Sequence, residues 1–193
     1  MGDFGMAREC AVRIAAERDI RLLEDSPDIG TCEGAATIGL ELDCEFDAVL
    51  VALGGGAMAT GVGYVVKTTR PGTEVICVQP ERAPALTLSW RARRVVTTET
   101  ADTIADGVAG RFPIQEVLDD LLVVADDATL VRESSIIAGM RLLLEHAGLV
   151  VEPSAALGVA AILEDRDRFA GRHVVTVICG NNVDAGSYRR WTG

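Results

Sequence analysis

Residues 46–61, FDAVLVALGGGAMATG, constrain the fold more than any other stretch. The first half is a short run of Val, Leu and Ala, the pattern of a strand buried on both faces. Gly54, Gly55 and Gly56 follow without a break, and residues 57–67 then carry helical spacing. Strand, glycine turn and helix in that order bring bare backbone N–H groups to a helix N-terminus. Those first N–H groups lack intrahelical partners and sit at the positive end of the helix dipole, so such a turn binds anions. Two readings are open: a phosphate cradle, or a tight turn that needs glycine only for positive φ. No Gly-Lys-Ser/Thr follows and the spacing is not G-x-G-x-x-G, so neither a Walker loop nor a dinucleotide fingerprint is present.

Strands and helices alternate on either side. Helical spacing covers 6–19 and 33–42, the second with Gly34, Ala35, Ala36 and Gly39 on one side, small enough for a helix or ligand to approach closely. Strands are predicted over 20–23, 48–53, 74–78, 121–124 and 173–178, the last as a buried strand. Residues 26–30 read as loop, 86–90 as a short helix and 91–107 as irregular. Asp126 to Thr129 are predicted to cap a long helix ending at Gly148. Pro153 opens another over 155–163. The pattern implies an α/β fold of three layers, an open, mainly parallel sheet with helices on both faces, built as a single domain over 1–193. Ligands of such sheets sit at the carboxyl ends of strands. Leu53 and Ile178 are therefore expected at one sheet edge, with Gly55 and Cys179 facing one cleft.

Composition narrows the function. The 193 residues carry a net charge of −11, which argues against nucleic acid or an anionic membrane as partner. No apolar run reaches the length of a membrane span, and Met1-Gly2-Asp3 does not begin a signal peptide, so a cytoplasmic location is expected. Cys10, Cys32, Cys44, Cys77 and Cys179 are scattered without C-x-x-C pairing, which predicts reduced thiols and no metal site. Lys67 is the only lysine, against seventeen arginines. Chemistry that requires a lysine has one candidate.

Five ordered segments then resemble the pyridoxal-phosphate enzymes of fold type II, the threonine dehydratase and serine racemase branch in particular. They are Glu33-Gly34-Ala35-Ala36-Thr37-Ile38-Gly39-Leu40-Glu41, Leu53-Gly54-Gly55-Gly56-Ala57-Met58, Thr103-Ile104-Ala105-Asp106-Gly107-Val108, Val151-Glu152-Pro153-Ser154-Ala155-Ala156, and Ile178-Cys179-Gly180-Asn181-Asn182-Val183-Asp184. The resemblance implies the C-terminal part of the cofactor-binding large domain of a tryptophan synthase beta-like fold. It implies that the backbone amides of Gly54, Gly55, Gly56, Ala57 and Met58 hold the phosphate of pyridoxal 5'-phosphate, with Ala57 replacing a fourth glycine. Cys179 falls where the family has a neutral partner of the pyridine nitrogen. Gly107 and Glu152 match positions lining the pocket, and Glu152 reads equally well as an N-terminal helix charge.

The departures from the family pattern matter as much. In the family the cofactor-carrying lysine and the substrate-carboxylate loop belong to an N-terminal segment and small domain, and this chain matches only the region beyond them. Lys67 lies roughly 15 Å along the helix from the glycine turn, on an outward face by spacing. Gln79 and Ala85 stand where the divalent-cation site of some relatives has carboxylates. The resemblance therefore implies a lyase fragment acting on threonine or serine, with no catalytic residue of its own and inactive alone. A separate small-domain chain or a homodimer is its expected partner. Two alternatives remain at this point: a non-catalytic module binding pyridoxal phosphate or another phosphate, and a domain without function.

Overall fold

The structure, a computed structural model, describes residues 4–193. Met1-Gly2-Asp3, read above as no signal peptide, lies outside the described residues. In chain order the elements are α1 (Phe4–Arg18), α2 (Ile29–Glu41), β1 (Ala48–Ala52), α3 (Ala57–Thr69), β2 (Glu74–Pro80) and α4 (Ala85–Ala92). They continue with α5 (Gln115–Val124), β3 (Asp127–Val131), α6 (Glu133–Ala147), α7 (Leu157–Glu164), α8 (Arg166–Phe169), β4 (Val174–Thr176) and α9 (Ala185–Thr192). Short 3-10 turns cover Asp106–Val108 and Pro153–Ala156.

The four strands form one parallel sheet in the order β3-β2-β1-β4. Period-two alternation divides the two central strands between two cores. Leu50, Ile76 and Val78 pack with Ile136, Met140 and Leu157 from the α6–α7 side. Val49, Val51, Val75 and Cys77 pack with Val62, Val66, Val117 and Leu121 from the α3–α5 side. Complete burial of each such Leu or Ile contributes about 2 kcal/mol. This double burial is why β1 reads as an unbroken apolar run.

Helix α2 forms an outer layer on α3. A Cβ on Gly61 would overlap the Cys32 carbonyl and lie 2.7 Å from Ala36 N, and one on Gly39 would lie 2.8 Å from Val65 Cβ. Ala35, Ala36 and Gly39 of α2 therefore admit a helix, whereas Gly34, expected on the same side, is exposed and away from the contact. Asp28 caps α2, its carboxylate accepting from Gly30 N at 3.0 Å. Hydrogen bonds from Arg21 and Gly30 hold that carboxyl below the usual range.

At the end of the sheet opposite the strand C-termini, carboxylates from two strand starts, Glu74 and Asp127, meet two arginines. Arg168 bridges Glu74 and Asp127, the latter at 2.6 Å, and Arg172 reaches Glu74 at 2.8 Å. Asp47 accepts from His173 N at 2.7 Å, joining the starts of β1 and β4. The cluster closes the floor of the sheet.

Several sequence expectations are corrected. Residues 20–23 form no strand: Asp19 turns the chain at positive φ after α1, and Ile20 and Leu23 are exposed without a strand neighbour. Helix α2 starts four residues earlier than its apolar pattern suggests, because Asp28 supplies a cap inside what reads as loop. Residues 121–124 are the last turn of α5. Val117, Leu118, Leu121 and Val124 share one helical face, a period masked by the adjoining Leu and Val. The strand is instead β3, so Asp126 to Thr129 do not cap a helix; α6 begins at Glu133. The helix expected over 155–163 begins as the 3-10 turn and becomes α only at Leu157. Strand β4 is a short, half-buried edge strand, because nothing pairs with its outer side among the described residues.

Candidate functional site

Strands β1 and β4 are neighbours with Leu50 opposite Thr176, and Val177 N donates to Leu50 O at 3.4 Å. Their C-terminal loops therefore leave the sheet side by side. From β1 the chain turns through Gly54, Gly55 and Gly56 into α3. Gly56 is the N-cap at φ 108°, and Thr60 N donates to Gly56 O at 2.8 Å. Ala57 is the first helical residue and has no positive φ, so alanine in place of a fourth glycine carries no strain. The N–H groups at the head of this 13-residue helix lack intrahelical acceptors, which is what an anion site requires. Met58 is half-buried and packs against both cores.

A cavity of about 550 Å³ opens beside the turn, lined by Gly54, Gly55, Ser26, Gly107 and Arg111 among others. The 3-10 turn Asp106–Val108 forms one wall. A Cβ on Gly54 would lie 3.1 Å from Gly107 O and 3.4 Å from Val108 Cα, so the wall seats directly on the glycine turn. A Cβ on Gly107 would lie 2.9 Å from Ser154 Oγ and 3.3 Å from Glu152 Oε1.

Glu152 joins this wall to the loop after β4. Its backbone N donates to Gly180 O at 3.2 Å, and its carboxylate accepts from Asn182 N at 2.9 Å. A Cβ on Gly180 would lie 2.6 Å from Glu152 Cδ. The carboxylate is thus engaged by the 180–182 loop. Cys179 opens into a second, shallow groove of about 360 Å³ with Leu149, Val150, Ile178 and Asn181. Gly55 and Cys179 thus line two adjoining recesses rather than a single cavity. The two loops share an edge of the sheet, but Gly107 and Glu152 stand between their recesses.

Protein packed around Cys179, together with the Glu152 carboxylate, pushes its thiol above the usual cysteine range, although the residue reaches solvent. The thiolate is the reactive form, so raising the pKa lowers its fraction at any pH below the ordinary value. Alkylation of Cys179 by iodoacetamide at pH 8 should be slower than that of a cysteine in a short peptide. Its rate should continue to rise at pH values where the peptide has levelled off. Glu152→Gln should shift the profile back toward the peptide, as read by mass spectrometry of the Cys179 peptide.

Two residues of the site escaped sequence reasoning. Ser26, buried at positive φ, directs its hydroxyl to the space where a Gly55 side chain would lie, and that hydroxyl has no partner. Ser154 Oγ, beside Gly107, is likewise buried and unpartnered. No local pattern marks Ser26 inside its loop. Ser154 stands within a recognised motif but gives no separate signal.

Lys67 is half-buried rather than outward. Its Nζ donates to Thr73 O at 2.9 Å and pairs with Asp126, at the far end of α3 from the glycine turn. Gln79 is buried, with Oε1 accepting from Thr87 N at 2.8 Å. Among the described residues no group of three His, Cys, Asp or Glu side chains could hold a metal ion. No helix among them is long and apolar enough to cross a membrane. A phosphate ester suits the remaining features: side-chain-free turn, open helix N-terminus and two orphaned buried hydroxyls, one beside Gly55 and one beside Gly107.

Comparison with known proteins agrees. The L-threonine ammonia-lyase of Thermotoga maritima is 34% identical over 184 residues, covering 94% of this chain and 46% of the relative. The L-threo-3-hydroxyaspartate ammonia-lyase of Saccharomyces cerevisiae is 32% identical over 186 residues, covering 91% and 55%. The chain thus spans about half the length of these relatives. Among solved structures, maize serine racemase superposes with a TM-score of 0.89 at 25% identity, over 98% of this chain and 60% of that one. The processed form of threonine deaminase isoform 2 from Solanum lycopersicum gives 0.88 at 25%, over 94% and 54%. Residues 1–180 match the family described as pyridoxal-phosphate dependent enzyme. By its sequence, its parallel sheet and the glycine turn at the head of α3, the chain belongs to the pyridoxal-phosphate-dependent enzymes.

Proposed function

We propose that this chain is the cofactor-holding portion of an ammonia-lyase acting on threonine, serine or a close analogue. The observation that carries the reading is the glycine turn at the head of α3, beside the loop after β4 at the same sheet edge. In this reading the backbone N–H groups of Gly54, Gly55, Gly56, Ala57 and Met58 hold the phosphate. Gly107 and Glu152 line the ring, and the protonated Cys179 thiol faces the pyridine nitrogen as a neutral partner. Bound pyridoxal phosphate supplies an electron sink for loss of the Cα proton of an amino acid. The residues of this chain bind and orient the cofactor, and they leave the proton transfer to a group elsewhere.

Lys67 does not serve as that group. Thr73 and Asp126 engage its ammonium, and its place in the last turn of α3 puts it beyond reach of the turn. The isolated chain therefore binds pyridoxal phosphate without a covalent bond and turns over nothing. A lysine-bearing small domain, on the same polypeptide or on a second chain, completes the site and admits the amino acid.

Titration with pyridoxal phosphate should raise the Tm of the isolated chain and change its absorbance. Borohydride treatment should leave no cofactor mass on Lys67, and L-threonine and L-serine should remain unconverted. Adding the separately expressed small domain of a relative should restore turnover. Absence of any ligand shift, or turnover that disappears in Lys67→Ala, would overturn the reading.

A further inference from the structure

Glu133, the first residue of α6, engages another part of the chain. An acidic residue in a first helical turn ordinarily complements the dipole or caps its own helix. Here both carboxylate oxygens leave the helix. Oε1 accepts the Thr103 hydroxyl at 2.6 Å and Oε2 accepts Ile104 N at 2.9 Å. The Thr103 hydroxyl also accepts from Ala105 N at 3.1 Å, so one carboxylate organises three consecutive residues. Ala105 is then fully buried and its carbonyl accepts from Val108 N at 3.1 Å, which closes the 3-10 turn.

That turn is the wall whose Gly107 carbonyl and Val108 Cα seat on Gly54. None of residues 91–104 is buried, and of them only Ile104, half-buried, packs against the core, so the approach to the wall gains little from hydrophobic packing. The hydrogen bonds to Glu133 replace it. From these contacts we infer that Glu133, acting with Thr103, is a positioning residue that holds Gly107 at the cofactor ring, while the phosphate turn has its own seat where Gly56 packs on Val117 of α5. The inference rests on the reading of Gly107 as a wall of the cofactor site.

Two consequences separate positioning from simple support of α6. First, Glu133→Ala should speed amide exchange at Ala105, Val108 and Ala109 in the cofactor-free chain, and leave α6 beyond its first turn unchanged. Second, it should weaken pyridoxal phosphate about tenfold and inorganic phosphate by less than about twofold, since the amides of the glycine turn bind phosphate without the wall. Thr103→Val should reproduce both effects. Glu133→Gln, which keeps an acceptor for Ile104 N, should recover most of the affinity.

Faster exchange confined to 105–109 supports the assignment. Unchanged exchange there, or exchange that rises along α6 with a matching fall in Tm, overturns it and leaves Glu133 as a helix cap. Equal weakening of both ligands also overturns it. Failure of the unaltered chain to bind pyridoxal phosphate would instead defeat the proposed function, and the exchange measurement would still decide the role of Glu133.

Discussion

Gly61→Ala is expected to lower the stability of the chain by about 3 kcal/mol, the upper part of the range for overpacking a close contact. The added methyl would overlap the Cys32 carbonyl and lie 2.7 Å from Ala36 N and 3.1 Å from Ala35 C, all backbone atoms of α2. No rotamer change relieves a clash with main chain, so α2 must move as a body off α3. Gly34→Ala serves as the control. It too lies inside α2, but nothing lies within 4 Å of its Cβ position, and alanine there should gain about 0.5–1 kcal/mol from helix propensity. Urea denaturation of both variants checks the pair, and equal effects at the two sites would contradict the close helix contact.

Gly56→Ala is expected to weaken phosphate and pyridoxal phosphate binding by at least about tenfold, because two costs fall on one residue. Its φ of 108° disfavours any side chain, at about 1–2 kcal/mol, and a Cβ would overlap Val117 Cγ1 of α5. Relief requires the N-cap of α3 to shift, and with it the N–H groups proposed to hold the phosphate. Gly148→Ala separates strain from site geometry. Gly148 is also at positive φ, after the last turn of α6, with open space around its Cβ position. It should lose stability through strain and keep its phosphate affinity. Calorimetric titration with inorganic phosphate, alongside Tm, distinguishes the two outcomes.

The parts of this fold legible in the sequence are those where one physical demand dominates. Burial on both faces makes β1 an apolar run, and the tight turn into α3 demands glycine, so the strand, turn and helix of residues 46–61 could be read without help. Leu121 to Val124 could not: four adjacent apolar residues satisfy strand and helix alike, and only the faces shared with Val117 and Leu118 decide for a helix. Strand β3 was hidden for the opposite reason. As an edge strand it buries only Ala128 and Val131, and its Asp126-Asp127 start resembles a helix cap. At the site, the motif containing Glu152 was visible, but its engagement of Asn182 and Gly180 depends on a contact thirty residues away. The orphaned Ser26 hydroxyl depends on a positive φ that no neighbouring residue announces.

The connectivity of the sheet also orders its assembly in time. Strands β1 and β2 are joined through α3 alone, so the glycine turn closes within a short loop. Strand β4 meets β1 across 126 residues, the separation of Asp47 from His173. Closure entropy grows with the logarithm of loop length, and distant pairings form late when nearer ones are available. The β1–α3–β2 unit is therefore expected to form first as a local nucleus, and the loop bearing Cys179 to dock later onto an already formed β1. Substitutions in β4 should speed unfolding and leave the folding rate nearly unchanged, whereas substitutions in the β1–α3–β2 unit should slow folding itself.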